Sequence, residues 1–334
     1  MALTEFDIIR QFFMSESFAS DHSHLVKGPG DDAAILSLPD DHDLVVSVDT
    51  LNESVHFLPE AEPSLLAARC LAVNLSDLAA MGASPLGFTL ALSLPQVSNS
   101  WLQAFSEGLA QAARDADCPL IGGDTTRGPL SITIQVQGMV PKGQALLRSG
   151  ASAGDAVYVT GSLGDAAAAL WWMQGDPRFT AKGMSRADEQ HLLEAFYQPA
   201  SRIAAGKALR GIASAAMDLS DGLASDLRHI LKASSVSGAR IESGLLPVSD
   251  VLKQCVSRSD QIELAVGGGD DYELCVCIPT ARIRQAEAAV AALQVPFTRI
   301  GQLSNDPEMM VIAGDGSTMD LKATGYHHFQ SHSS

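Results

Sequence analysis

PSLLAARCLAVNLSDLAAM, residues 63–81, decides the architecture of the first half of the chain. It reads as a helix, with Pro63 near its start, where a missing N–H costs nothing, and Gly82 as its stop. Working outward, DLVVSVD (43–49) reads as a buried strand ending on Asp49. Downstream, residues 86–94 read as a strand ending before Pro95, and residues 100–116 as a second helix. ITIQVQGMV (132–140) alternates like a strand, closed by Pro141 and Gly143.

After Arg148 the pattern restarts. DAVYVTG (155–161) is a strand, and Gly164 opens an Ala-rich helix. Residues 174–188 read as a polar surface connection, 201–215 as a helix, and 223–233 as a helix with Leu223, Leu227, Ile230 and Leu231 on one face. DYELCVCIP (271–279) reads as a strand, 280–293 as a helix, and 298–312 as a short strand region. Alternating strands and helices predict an α/β (α+β) protein of two domains, with a boundary near 145–153 dividing residues 1–148 from 149–334. A chain of 334 residues suits two cores better than one.

The formal net charge is −17. Gripping nucleic acid through its phosphates needs a basic face, and no Lys/Arg cluster supplies one, so nucleic acid and anionic membrane surfaces are excluded as partners. The Met1 to Ser20 segment mixes Phe6, Ile8, Ile9, Phe12 and Phe13 with acids, which reads as an amphipathic helix and not a signal peptide. Without an 18-residue apolar run no span is expected, and the sequons at Asn52 and Asn74 lose meaning. Five scattered cysteines (Cys70, Cys118, Cys255, Cys275 and Cys277) fit a reducing, cytoplasmic setting. Cys275 and Cys277 alternate within an apolar run, as small hydrophobes on one side of a strand.

Five loci set a Gly or Ser beside an Asp at an expected element end. They are GPGDDAA (28–34), SVDTLNESVHF (47–57), NLSDLAAMG (74–82), GGDTTRG (122–128) and MDLSDG (217–222). Glycine lets a backbone turn and approach a ligand closely. Aspartate supplies hard oxygen donors suited to Mg²⁺ with its waters and phosphate oxygens. Two carboxylates ~4 Å apart repel by about 4 kcal/mol at an effective dielectric near 20, so converging aspartates call for cations. Taken singly, each locus is explained as a turn or helix cap. Asp77 resists that explanation, because it lies inside an apolar helix one turn after Asn74. No GxxxxGK[ST], GxGxxG, HRD-type or GxSxG pattern is present, and GGGDD (267–271) precedes a strand instead of opening a helix.

NLSDLAAMGA, IGGDTTRGPL, MDLSDGL, GGDDYEL and the closing GYHHF occur in this order. Together they resemble the thiamine-monophosphate kinase family, within the superfamily of aminoimidazole ribonucleotide synthetase, from about Phe6 to Phe329. The resemblance implies an N-terminal ATP- and Mg²⁺-binding α/β domain that forms a homodimer by pairing sheets. It also implies a C-terminal α/β domain that completes the nucleotide and substrate sites, with ATP bound between the two. By motif match it implies Asp32, Asp49, Asp77, Asp124, Asp218 and Asp221 as Mg²⁺ ligands, with Ser47 and the Val48 backbone as further metal contacts. Gly123, Asp124, Arg148 and Ser220 are implied as ATP contacts, and His56, Asp270 and Tyr326 as contacts to thiamine monophosphate. Where the family commonly has Glu-Asp-Tyr, this chain has Asp270-Asp271-Tyr272, shortening the first carboxylate by one methylene.

The implied reaction moves the γ-phosphoryl of ATP directly onto the phosphate of thiamine monophosphate. The nucleophile is already anionic, so no side chain is expected as acid or base. Among siblings, selenophosphate synthetases carry a reactive Cys or selenocysteine before the first glycine loop, whereas no Cys precedes Cys70 here. The hydrogenase maturation factor ends in a cysteine, whereas this chain ends in His-Ser-Ser. An aminoimidazole ribonucleotide synthetase-like enzyme, a non-catalytic nucleotide-binding scaffold and a metal-dependent phosphohydrolase stand as alternatives.

Overall fold

The computed structural model describes residues 4–14, 18 and 22–319. The chain divides into two compact units, Met1–Leu78 with Ala83–Ala145, and Ala79–Gly82 with Leu146–Ser334.

The first unit begins with a short helix, α1 (Glu5–Ile8), capped by Thr4 and running into a π-helical turn at Ile9–Phe13. Two short strands, β1 (Leu25–Lys27) and β2 (Ile35–Leu36), pair antiparallel. The main sheet holds β3 (His42–Asn52), β4 (Ser84–Leu94), β5 (Leu120–Arg127) and β6 (Ser131–Pro141) in the order β3-β6-β4-β5. The helix expected from residues 63–81 forms as α2 (Pro63–Ala80). The Glu62 carboxylate accepts the Leu65 N–H at 2.9 Å and so caps its start, and Gly82, at φ +65°, ends it. The helix α3 (Asn99–Asp115) buries Leu102, Phe105 and Leu109. It crosses α2 so closely that a Cβ on Gly108 would sit 2.4 Å from the Ser64 carbonyl oxygen.

The β3 strand differs from its sequence reading. It continues three residues past Asp49, and it is buried on one face only: Leu44, Val46 and Val48 are 51%, 50% and 53% exposed. An apolar run does not distinguish a two-sided strand from one whose outer row stays uncovered in a single chain.

The second unit is built on a seven-stranded sheet, ordered β13-β12-β9-β11-β7-β10-β8. Its strands are β7 (Ala156–Thr160), β8 (Ala215–Asp218), β9 (Gly238–Glu242), β10 (Leu274–Ile278), β11 (Phe297–Ser304), β12 (Met309–Ile312) and β13 (Thr318–Met319). The strand β10, between β7 and the edge strand β8, is buried on both faces. Cys275 and Cys277 enter one core with Val157, Met217 and Leu227, while Leu274, Val276 and Ile278 enter another with Tyr158, Leu209 and Val290. The alternation expected of Cys275 and Cys277 therefore holds.

The helices are α4 (Asp165–Gln174), α5 (Arg186–Tyr197), α6 (Ile203–Leu209), α7 (Leu223–Ser234), α8 (Asp250–Cys255), α9 (Arg258–Gly267) and α10 (Ile283–Ala291). Leu223, Leu227, Ile230 and Leu231 of α7 are all buried, as their spacing predicts. The helix expected over 201–215 is only α6, since Gly211, at φ +68°, turns the chain toward β8. The polar connection over 174–188 already contains the start of α5, which a Ser185/Asp188 capping box fixes. The strand expected from Asp271 starts at Leu274, because Asp270 and Tyr272 take left-handed conformations at φ +63° and +49°. α8, α9 and β9 have no counterpart in the sequence reading.

Candidate functional site

In the first unit, Ser47 and Asp49 lie two residues apart on β3 and share its inner face. Asn74 and Asp77 lie three apart on α2 and share one helix face. The two pairs meet. The Ser47 hydroxyl donates to Asp77 Oδ2 at 2.5 Å. The Asp49 N–H donates to Asn74 Oδ1 at 3.0 Å, and Asn74 Nδ2 donates to the Cys70 carbonyl at 2.9 Å, fixing the amide. Burial, and then the Asp77 charge, push the Asp49 carboxyl up to about 6. Val48 points away from this group, with its side chain on the exposed face, so only its backbone can contribute.

Asp32 and Asp124 belong elsewhere in the same unit. Both line a cavity of about 640 Å³ with Gly123, Arg10, Phe6 and Phe13. Gly123 is required there by close packing, since a Cβ would lie 2.1 Å from the Leu90 carbonyl oxygen. In the sheet register Asp49 is level with Ile134, Leu90 and Gly123, whereas Asp124 is level with Ala91, Thr133 and Thr50. Asp49 and Asp124 therefore project from opposite faces, and β3 and β5 are opposite edges of the sheet. His56 lies in the turn after β3, where its Nδ1 accepts the Asn52 N–H at 3.0 Å, which leaves the proton of the neutral ring on Nε2.

In the second unit, Asp218 ends β8, and Ser220 and Asp221 follow in the loop that Gly222 closes at the start of α7. The segment 269–273 lies against this loop. Asp270 N–H donates to the Ser220 carbonyl and Tyr272 N–H to the Leu219 carbonyl, both at 2.8 Å, and Leu219 N–H returns a bond to Glu273 at 2.8 Å. Asp270 accepts the Tyr272 hydroxyl at 3.1 Å. Arg148 is exposed, with its carbonyl accepting the Ser234 hydroxyl at 3.1 Å. Tyr326 lies outside the described residues.

Two acids beneath these loops escaped the sequence reading. Asp226, on α7, is 1% exposed and accepts the Asp221 N–H at 3.0 Å. Burial, and then the Asp221 and Asp218 charges, push its carboxyl up to about 7. Its signal was visible: it falls three residues after Leu223 and four before Ile230, an acid on an apolar face. Asp271 is also buried. Its Oδ1 accepts the Gly164 N–H at 2.8 Å, its Oδ2 has no hydrogen-bond partner, and burial raises its carboxyl well above the usual range.

Among the described residues no three His, Cys, Asp or Glu side chains form a ready-made metal cage. The structure sets Asp49 beside Asp77, places Asp32 and Asp124 in the lining of one cavity, and brings Asp218 and Asp221 each near Asp226. The donors are carboxylate, hydroxyl and amide oxygens. They fit Mg²⁺, which keeps several waters and binds through one or two carboxylates plus substrate phosphates.

Residues 30–140 match the N-terminal domain of AIR synthase related proteins, and residues 152–314 match the C-terminal domain. The thiamine-monophosphate kinase of Escherichia coli (strain K12) is 46% identical over 329 residues, covering 98% of this chain and 99% of that protein. The crystal structure of thiamine-monophosphate kinase from Stenotrophomonas maltophilia K279a superposes with a TM-score of 0.82 at 41% identity, over 96% of this chain and 99% of that one. AaThiL complexed with AMPPCP and TMP superposes with a TM-score of 0.74 at 28% identity, over 97% of this chain and 96% of that one. The chain belongs to the thiamine-monophosphate kinase family, within the AIR synthase related proteins.

Proposed function

We propose that this chain transfers the γ-phosphoryl group of ATP to the phosphate of thiamine monophosphate, giving thiamine diphosphate and ADP. The carrying observation is the Asp49–Asp77 pair with its Ser47 and Asn74 partners, a set of oxygen donors in which burial, and then the Asp77 charge, raise the Asp49 carboxyl, a strain that a bound cation would relieve. The relatives' name and the AMPPCP and TMP complex of AaThiL support the substrate assignment.

Asp32, Ser47, the Val48 backbone, Asp49, Asp77 and Asp124 of the first unit, and Asp218 and Asp221 of the second, are the proposed Mg²⁺ contacts. Bound Mg²⁺ neutralises phosphate charge and orients the groups for in-line displacement. Gly123, whose site leaves no room for a side chain, is a proposed ATP contact together with Asp124, Arg148 and Ser220. His56, with Nε2–H as donor, Asp270 and Tyr326 contact thiamine monophosphate. Because the acceptor is an ionised phosphate oxygen, none of these side chains needs to remove a proton.

A homodimer is part of this reading. Asp49 and Asp124 lie on opposite edges of a four-stranded sheet, three strand spacings or about 14 Å apart, too far to share an ion within one chain. The exposed row Leu44, Val46 and Val48 is the apolar surface that a second copy would cover. A cytoplasmic setting is supported by five free, buried cysteines. Among the described residues, no helix is long and apolar enough to cross a membrane.

Incubation with ATP, Mg²⁺ and thiamine monophosphate should yield thiamine diphosphate and ADP in equal amounts. Absence of product while ATP binds refutes the assignment. Phosphate release at the same rate without thiamine monophosphate favours the hydrolase alternative.

A further inference from the structure

The loop 219–222 must hold Asp218, Ser220 and Asp221 in one arrangement, yet it precedes a helix, where backbone N–H groups lack intrahelical partners. Asp226 meets this need. It sits on the fourth residue of α7 and turns back under the loop. Its Oδ2 accepts the Asp221 N–H at 3.0 Å, and its carboxylate also takes a backbone bond from Ser220.

The rest of the loop is boxed in by backbone. A Cβ on Gly269 would lie 2.8 Å from the Ser220 carbonyl oxygen, and one on Gly222 would lie 2.9 Å from the Gly267 carbonyl carbon. Asp226 thus supplies the floor of a loop whose wall is segment 267–273. A leucine at 226 would extend the apolar face of Leu223, Leu227 and Ile230 and would bury no charge beside Asp218 and Asp221. The acid is costly to the fold, and what it provides is hydrogen bonding to the loop.

We propose that Asp226 is a positioning residue that fixes the Asp218–Asp221 loop in its nucleotide- and metal-binding arrangement through the backbone N–H groups of Ser220 and Asp221, without itself touching metal or nucleotide. This rests on the reading of Asp218, Ser220 and Asp221 under the proposed function.

The test compares full-length Asp226→Ala and Asp226→Asn with wild type. Thiamine diphosphate formation is followed as free Mg²⁺, ATP and thiamine monophosphate are varied in turn, and amide hydrogen exchange is read over residues 219–222. Asp226→Ala is expected to raise the Mg·ATP requirement by about 10–100-fold, the range for loss of a residue that orients metal ligands, and to speed exchange in the loop. The KM for thiamine monophosphate should change less than the Mg·ATP requirement, because of its proposed contacts only Asp270, whose N–H donates to the Ser220 carbonyl, borders the loop. Asp226→Asn keeps an acceptor oxygen without the charge and should restore both readouts to within about fivefold.

Unchanged Mg·ATP dependence in Asp226→Ala overturns the inference. So does an Asp226→Asn protein as impaired as Asp226→Ala with its loop still protected, since the charge itself would then be what matters. If Asp226→Ala does not fold, Asp226→Asn decides alone: rescue with a protected loop supports positioning, and a loss of about 100-fold with a protected loop refutes it. If wild type makes no thiamine diphosphate, the kinase reading fails, while the loop exchange of the variants still tests the positioning.

Discussion

Replacing Asp77 by asparagine removes a charge and almost no volume, and the asparagine Oδ1 can still accept the Ser47 hydroxyl that Asp77 now accepts. The rise of the Asp49 carboxyl from 3.8 to about 6 corresponds to about 3 kcal/mol of disfavoured charge. Burial is the larger cause and Asp77 the second, so the share belonging to Asp77 is less than half of that. The sign follows from the direction of the shift. A raised carboxyl lends its full stability below pH 3.8 and loses it as pH rises through about 6, so at pH 7.5 the repulsion is fully expressed in the metal-free chain.

Asp77→Asn should therefore raise Tm in EDTA at pH 7.5 by about 2–4 °C, with little change at pH 4. Titration with Mg²⁺ should raise the Tm of wild type, by mass action on the folded state, and that of the variant far less. Turnover of thiamine monophosphate should fall by at least about 100-fold. Differential scanning fluorimetry with and without EDTA, paired with product chromatography, reads all three. A Tm in EDTA below wild type makes Asp77 a structural residue, and turnover within tenfold of wild type removes it from the metal site. Either result refutes the charge-pair account.

Val46→Lys places a charge in the middle of the exposed β3 row and should convert a dimer into a monomer on size-exclusion chromatography with light scattering, whereas an unchanged mass rules out this face. Gly161→Ala would set a Cβ 1.9 Å from Glu273 Oε1 at φ +58°, beside the part-buried Arg202–Glu273 pair, and should cost about 2–4 kcal/mol in urea unfolding. The bond of Nε2 to Asp165 at 3.2 Å raises the His191 imidazole above its ordinary 6.5. Its stabilisation is present below pH 6.5 and is lost as pH rises through the raised value, so His191→Gln should flatten the pH dependence of Tm above neutrality. All five cysteines are free and buried, and burial pushes the Cys70 and Cys118 thiols up to about 12, so a thiol reagent should label none in the native chain and five after denaturation.

Local pattern settled much of this protein. Pro63 and Gly82 bracket α2 because both act through their own backbone, and Cys275-x-Cys277 alternates because a strand's period is fixed. The placing of Asn74 and Asp77 on one helix face follows from helical geometry alone, and five ordered motifs, from NLSDLAAMGA to GYHHF, carried the family resemblance. Three-dimensional placement decided the rest. It bound Asp77 to Ser47 and Asn74 to the Asp49 backbone across 30 and 25 residues. It also put Asp124 on the opposite face of the sheet from Asp49, so that the aspartates of the first unit form no single cradle. Sequence spacing does not encode which strand lies beside which, and the order β3-β6-β4-β5 is what separates Asp49 from Asp124. Asp226 shows the same division. Its periodicity marks an acid on an apolar face, but only the backward turn of α7 against residues 220 and 221 reveals which N–H groups it serves.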